Sequence, residues 1–314
     1  MTQWSRRSRV ATLLVASLAL MRAARADDAA APVPGPAPTA PAPADAAPAT
    51  PPNPVPTFLK GWAEAVGDAK DQDEAIGFPR RVRRTKDGMA MVLVAGGTFA
   101  QGAVPGDARA LPEEKPRRDV TLSKAYYVDE HEVTVAMWKA YAAATGAAMP
   151  TLQEGTEDAH PAHGVSWDAA RAYAAWAGVT LPTEAQWERA ARGGHADFVF
   201  PWGADDDVKQ RNGALDFDGF AGLAPVKSFP ANDYGLFDVA GNVEEWCLDA
   251  YDEQAYASGA ATDPSGPADA LPTRVVRGGC AQSLRPALRA SSRGLGSHDI
   301  DPVNAGLRCA KPLP

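Results

Sequence analysis

Cys280 stands directly after a glycine pair in TRVVRGGCAQSLRPALRASSRG, residues 273–294. Val275 and Val276 predict a strand. Gly278 and Gly279 let the backbone turn or approach a ligand closely. A thiol placed there either belongs to an active site or fills a space. The first reading makes the chain an enzyme and the second a binding module. A different chemistry is carried by the Gly-, Asp-, Asn- and Pro-rich segments that follow Gly194. Chain this irregular needs something to hold its loops, and cations on hard oxygen ligands can do so. The motif HPAH offers His160 and His163 as an H-x-x-H pair. Pro161 breaks helical geometry between them, so the imidazoles need not converge, and a structural turn is the better reading.

The elements that must position these groups are mixed. MAMVLVAGGTF and DVTLSKAYYVDEHEVTV carry strand-like alternation and β-branched residues. VTVAMWKAYAAATG predicts a helix ending at Gly146. SWDAARAYAAWAG predicts a second, with Ser166 as N-cap and Gly178 just past its end. PTEAQWERAARGG predicts a third, capped by Thr183, with Trp187 and Ala190 facing inward and Gly193 ending it. Beyond Gly194 only short strands and loops are expected. Before the strands, Phe58 to about Ala75 reads as a short helix, and Arg80 to Asp87 as a solvated basic loop.

With 314 residues, 45% hydrophobic content and net charge −8, the chain can build one large core or two small ones. No basic stripe marks a nucleic-acid partner. Arg6, Arg7 and Arg9 precede the apolar run VATLLVASLALM, and Ala24-Arg25-Ala26 then offers a cleavage site. That order predicts a signal peptide, residues 1–26, and export to a periplasmic, cell-surface or secreted location. No stable membrane span remains after cleavage. Residues 27–56 are almost all Ala and Pro. They predict a disordered linker, on the order of 90 Å long if fully polyproline II. Residues 57–85 form a helical and basic lead-in, and 86–311 the main domain. Export favours cysteine pairing, so Cys247, Cys280 and Cys309 predict one disulfide and one free thiol.

The phrases MVLVAGGTF, YYVDEHEVTVAMWKAY, HPAHGVSWDAARAYAAWAGVTLPTEAQWERAARGG, NDYGLFDVAGNVEEW, RVVRGG and NAGLRCA follow one another from about Met89 to Ala310. Their order and spacing resemble the sulfatase-modifying factor, or formylglycine-generating enzyme, family. The resemblance implies an α+β fold, a C-type-lectin-like variant with little regular secondary structure. It implies an oxidation of a substrate-protein cysteine to formylglycine by oxygen on a copper(I) ion held by two thiolates. Soft thiolates suit Cu(I). Here Ser283 falls at the first copper-cysteine position, the second has no counterpart, and Cys280 takes the place of a family serine. Copper is therefore not expected, and Cys280 reads as a packing or disulfide residue.

Other family positions carry over. Asn212, Gly213, Asp218 and Phe220 match one calcium set, and Asp238, Gly241, Val243 and Glu245 a second. Calcium is the expected cofactor. Arg293 and Asn304 match positions of the family's peptide groove, although an Arg there can also pair with a buried carboxylate. Glu244 stands where that groove commonly has a Trp. The resulting expectation is a calcium-stabilised domain that binds a protein or peptide without copper chemistry. The alternative is a divergent formylglycine-generating oxidase.

Overall fold

The computed structural model describes residues 56–67, 71–204, 207–214, 218–266, 272–297 and 303–314. The expected signal peptide and nearly all of the expected linker lie outside them. No helix among the described residues is long and apolar enough to cross a membrane.

Strands β1 (Ala63–Ala65), β2 (Gln72–Asp73), β3 (Phe78–Pro79) and β4 (Arg81–Arg84) come first. They are followed by β5 (Ala90–Val94), β6 (Gly97–Gln101), β7 (Arg118–Leu122) and β8 (Tyr126–Asp129). Three helices come next: α1 (Val135–Thr145), α2 (Trp167–Ala177) and α3 (Glu184–Ala191). The later part holds β9 (Glu244–Ala250), a single-turn α4 (Ala255–Ser258), β10 (Thr273–Arg277), β11 (Gly294–Ser297), β12 (Ala305–Gly306) and β13 (Ala310–Pro312).

A five-stranded antiparallel sheet runs β1-β4-β5-β8-β13. Its centre is apolar on both faces. Met91 of β5 and Tyr127 of β8 join one buried group, while Val92, Val94, Tyr126 and Val128 join another. Alternate residues of a strand point to opposite faces, so two strands feed two cores. The first core is aromatic and lies under α1 and α2. Trp138 stacks on Tyr173 at 5.5 Å, and Tyr141 meets Tyr173 edge-on at 5.3 Å. The second core receives Ala185, Trp187, Ala190 and Ala191 from α3. A four-stranded sheet, β11-β10-β9-β12, carries the Cys280 segment at the end of β10.

The helix ends fall where their caps place them. Thr134, Ser166 and Thr183 side chains accept the backbone N–H three residues on. Gly146 and Gly178 close α1 and α2 in the left-handed conformation. Two expectations fail. The Phe58–Ala75 stretch is not a helix beyond one short turn at Thr57–Leu59, and it contributes β1 and β2 instead. Nor is Arg80–Asp87 a solvated loop. Arg84 lies in β4, fully buried, and pairs with Asp87 at 2.6 Å and Asp129 at 2.9 Å. The reason is tertiary: among the described strands β1 pairs with β4 alone, so the lead-in completes the main sheet.

Candidate functional site

The turn after β10 is built by its glycines. Gly278 has φ +87°, and a Cβ there would lie 2.9 Å from the carbonyl oxygen of Val239. The chain then folds Cys280 back onto Ser283. The Cys280 N–H donates to Ser283 Oγ at 2.9 Å, and the Ser283 N–H donates to the Cys280 carbonyl at 2.8 Å. The Cys280 sulfur lies 3.4 Å from both Ser283 Oγ and Gln282 Oε1. Ala281 donates to the Asn242 carbonyl at 2.9 Å, which ties this turn to the GNVEEW segment. Burial pushes the Cys280 thiol above its ordinary pKa, against the hydrogen bonds from Ser283. The group is thus held as a thiol, the less nucleophilic and less metal-binding form.

All three cysteines are buried and free, so the expected disulfide is absent. Cys247 packs into the core that α3 covers and Cys309 into the aromatic one. Burial first, and nearby carboxylates second, raise both of these thiols well above the usual value.

Arg293 is committed within the protein. Its Nε and Nη2 donate to the two Glu184 oxygens at 2.7 and 2.9 Å. Its Nη1 donates to the carbonyls of Glu113 and Asp252, and the rings of Tyr251 and Tyr256 lie 5.0 and 4.6 Å from the guanidinium. Arg293 precedes β11 and Asn304 precedes β12, so the two expected groove residues flank opposite edges of the four-stranded sheet. The backbone carbonyl of half-buried Asn304 accepts from Glu244 N at 2.9 Å. Burial raises the Glu244 carboxyl, and its charge is one of those that act on Cys280.

In the first expected calcium set, Asp218 braces its own loop. It accepts from Gly213 N at 3.1 Å and from Phe220 N at 2.9 Å, while Asn212 Nδ2 donates to the Gly222 carbonyl at 2.8 Å. In the second set, Gly241 N donates to the Gly278 carbonyl at 3.0 Å, and Val243 is buried. Both Glu245 oxygens are engaged. Arg308 binds them at 2.8 to 3.0 Å, and Trp187 Nε1 donates to Oε2 at 2.6 Å. Asp238 sits at φ +54°, buried, with Oδ2 accepting from Lys227 N and Oδ1 without a partner.

Beside this set lies a residue the sequence reading missed. Glu132 is fully buried, and neither of its oxygens has a hydrogen-bond partner. Its carboxyl is pushed well above the usual range, by burial first and then by the Asp238 charge. Asp238 itself is raised to about 6, again chiefly by burial. Buried carboxylate oxygens without donors are where a cation satisfies what hydrogen bonds do not. The available signal was DEHE, four polar residues set between YYV and VTV where strand alternation should have interrupted them. Among the described residues, no group of three or more His, Cys, Asp or Glu forms a metal cluster, so backbone carbonyls would have to complete any cation site.

The HPAH pair is structural, as read. His163 hydrogen-bonds Gln153 N, Thr156 Oγ1 and the Val303 carbonyl, and His160 accepts from Glu157 N.

A model of the sulfatase-modifying factor enzyme 1-like domain matches residues 78–313. The formylglycine-generating enzyme of Thermomonospora curvata is 32% identical over 282 residues, covering 70% of this chain and 92% of that protein. The serine/threonine-protein kinase pkn1 of Chlamydia pneumoniae is 35% identical over 244 residues, with 70% of this chain covered; the match spans only 38% of that longer relative. Among solved structures, PvdO from Pseudomonas aeruginosa superposes with a TM-score of 0.67 at 26% identity, covering 74% of this chain and 98% of that one.

Proposed function

This chain belongs to the sulfatase-modifying factor enzyme 1-like family, with its α+β, C-type-lectin-like fold, and from that premise we propose a calcium-stabilised protein- or peptide-binding domain without copper oxidase chemistry. The observation that carries this reading is the surroundings of Cys280. Cu(I) needs a pair of soft thiolates. The Cys280 sulfur has a serine hydroxyl and an amide oxygen as neighbours, at 3.4 Å each. Cys247 and Cys309 are buried in separate cores. These residues do not fit copper. The two-pronged pairing of Arg293 with Glu184 leaves that guanidinium no fork for a substrate peptide, which speaks against the family's oxidase groove and leaves the binding of a partner to other residues.

Calcium fits better. Asp238 and Glu132 supply hard, donorless oxygens, and with the carbonyls of Gly241 and Val243 they would hold one ion. Glu245, whose oxygens are taken by Arg308 and Trp187, would not itself be a ligand. A bound ion would neutralise two carboxylates that burial otherwise penalises. The basic–apolar–Ala-x-Ala order at the N-terminus places this domain outside the cytoplasm in the same reading.

The enzyme remains a second reading because the formylglycine-generating relative is matched over 92% of its length. The two separate in one assay. Reduced, copper-loaded protein is incubated in air with a Cys-x-Pro-x-Arg peptide, and the peptide mass is followed. No thiol-to-aldehyde conversion is expected. Conversion that disappears in Cys280→Ala restores the oxidase and ends the proposal.

A further inference from the structure

Arg274 is the second residue of β10 and only 6% exposed, yet its Nε and Nη1 have no acceptor. Its guanidinium lies 3.9 Å from the centroid of the Trp167 ring. The same ring receives a second cation. Arg171, one turn further along α2 and exposed, places its guanidinium 4.7 Å from the centroid. Trp167 is fixed for this role, because its Nε1 donates to the Cys247 carbonyl at 2.8 Å and leaves the π-face to the arginines. Among the described residues, neither arginine has an ion-pair partner.

Most other buried arginines differ. Arg84, Arg192, Arg277, Arg289, Arg293 and Arg308 each bind at least one carboxylate. A buried guanidinium without a counter-charge loses hydration that a ring contact replaces only in part. Unmet donors on a buried, always-charged group are what an anion satisfies. One such group sharing an indole with a second, exposed guanidinium, in a chain of net charge −8, needs an explanation other than general basicity.

We propose that Arg274 and Arg171, presented by Trp167, form an oxyanion-binding site. Its ligand is a carboxylate or phosphate oxyanion that takes the free N–H groups of Arg274, with Arg171 adding positive charge through the shared indole. The indole holds both guanidinium planes in place, so little side-chain entropy is lost on binding. The site depends on nothing concluded about copper or calcium.

Calorimetric titration of the whole protein, in calcium-free buffer at fixed ionic strength, tests it with inorganic phosphate in one arm and acetate in the other. Saturable binding in at least one arm is expected. A response to acetate alone identifies a carboxylate of a partner or ligand, and a response to phosphate alone a phosphate-type anion. Arg274→Gln should weaken binding by about tenfold or more, because it removes the charge-assisted donors. Arg171→Gln, on the exposed helix face, should weaken it severalfold while leaving the fold intact. The thermal midpoint should rise with the bound anion in wild type and stay unmoved in Arg274→Gln. No saturable binding in either arm, or affinity unchanged in both variants, overturns the proposal.

Discussion

Glu245 accepts from Arg308 on both oxygens and from Trp187 on one. Arg308 in turn donates to the carbonyls of Asp129 at 2.9 Å and Phe237 at 2.7 Å, so one cation gathers three separate stretches of chain. Removing one partner of such a buried pair strands the other charge. Arg308→Met should therefore lower stability by about 3–5 kcal/mol, while the double replacement Arg308→Met with Glu245→Leu should recover much of that loss. Urea unfolding midpoints of the two variants decide this. Equal losses would mean that the pair acts by shape rather than by charge. At this scale the sequence named residues but not partners. DVAGNVEEW pointed to Asp238 and Glu245, and RPALRASSRG to Arg293. The group that holds Arg293 is 109 residues away, and Arg308 is 63 residues from Glu245. A single sequence contains no sign of such pairings. Glu132 passed unnoticed because DEHE shows a broken alternation without showing which of its carboxylates is buried without a partner.

Helix α3 concentrates much of the internal chemistry in eight residues. Glu184 holds Arg293, Trp187 holds Glu245, and Glu188 accepts from Gly102 N, Tyr256 and Arg277. Its entry is a capping box in which Thr183 and Gln186 satisfy each other's backbone N–H groups. This element was readable because caps are local: LPTEAQWERAARGG contains both the cap and the inward face. The lead-in strands were not readable, since β1 to β4 span two to four residues each and show no period of their own. Thr183→Ala should cost about 1 kcal/mol, the usual value of an N-cap. Gly241→Ala should cost far more, on the order of 3 kcal/mol or above, because left-handed backbone and a steric clash combine there. Its φ is +92°, and a Cβ would fall 1.8 Å from the Asn212 carbonyl oxygen. Chemical denaturation of both variants should rank Gly241→Ala well below Thr183→Ala. The reverse order would mean that the turn where Gly241 meets Asn212 relaxes freely.

Across the whole molecule, buried titratable groups pull stability in opposite directions with pH. Asp129, Asp238 and Asp249 are each raised to about 6, chiefly by burial, and Glu132 is raised well above the usual carboxylate range, by burial first and then by Asp238. Between the ordinary carboxylate pKa and 6, the folded chain keeps protons on these groups that the unfolded chain has released. Their effect on stability therefore falls as pH rises through that window. His131, lowered to about 4 by burial, acts the other way, and so does His163. Each takes up its proton at lower pH in the fold than in the unfolded chain, which does so below about 6.5, so their contribution grows with pH. Asp87 and Glu188 are lowered by their arginines, and they lose their stabilising effect only at more acid pH. With chelator present, the four carboxyls outweigh the two histidines, and the thermal midpoint should drop between pH 5 and 7. In the proposed site, calcium on Asp238 and Glu132 would replace protons with a cation, leaving Asp129 and Asp249 set against His131 and His163. The midpoint with calcium should then be nearly level, and the gap between the two conditions should widen toward pH 7. At a hundredfold excess over Kd, a ligand confined to the native state adds roughly 2.7 kcal/mol. Thermal scans at pH 5, 6 and 7, with calcium and with chelator, measure this directly. Glu132→Gln with Asp238→Asn should flatten the chelator series and close the gap. A gap that is absent, or equally wide at all three pH values, would remove calcium from the account of this fold.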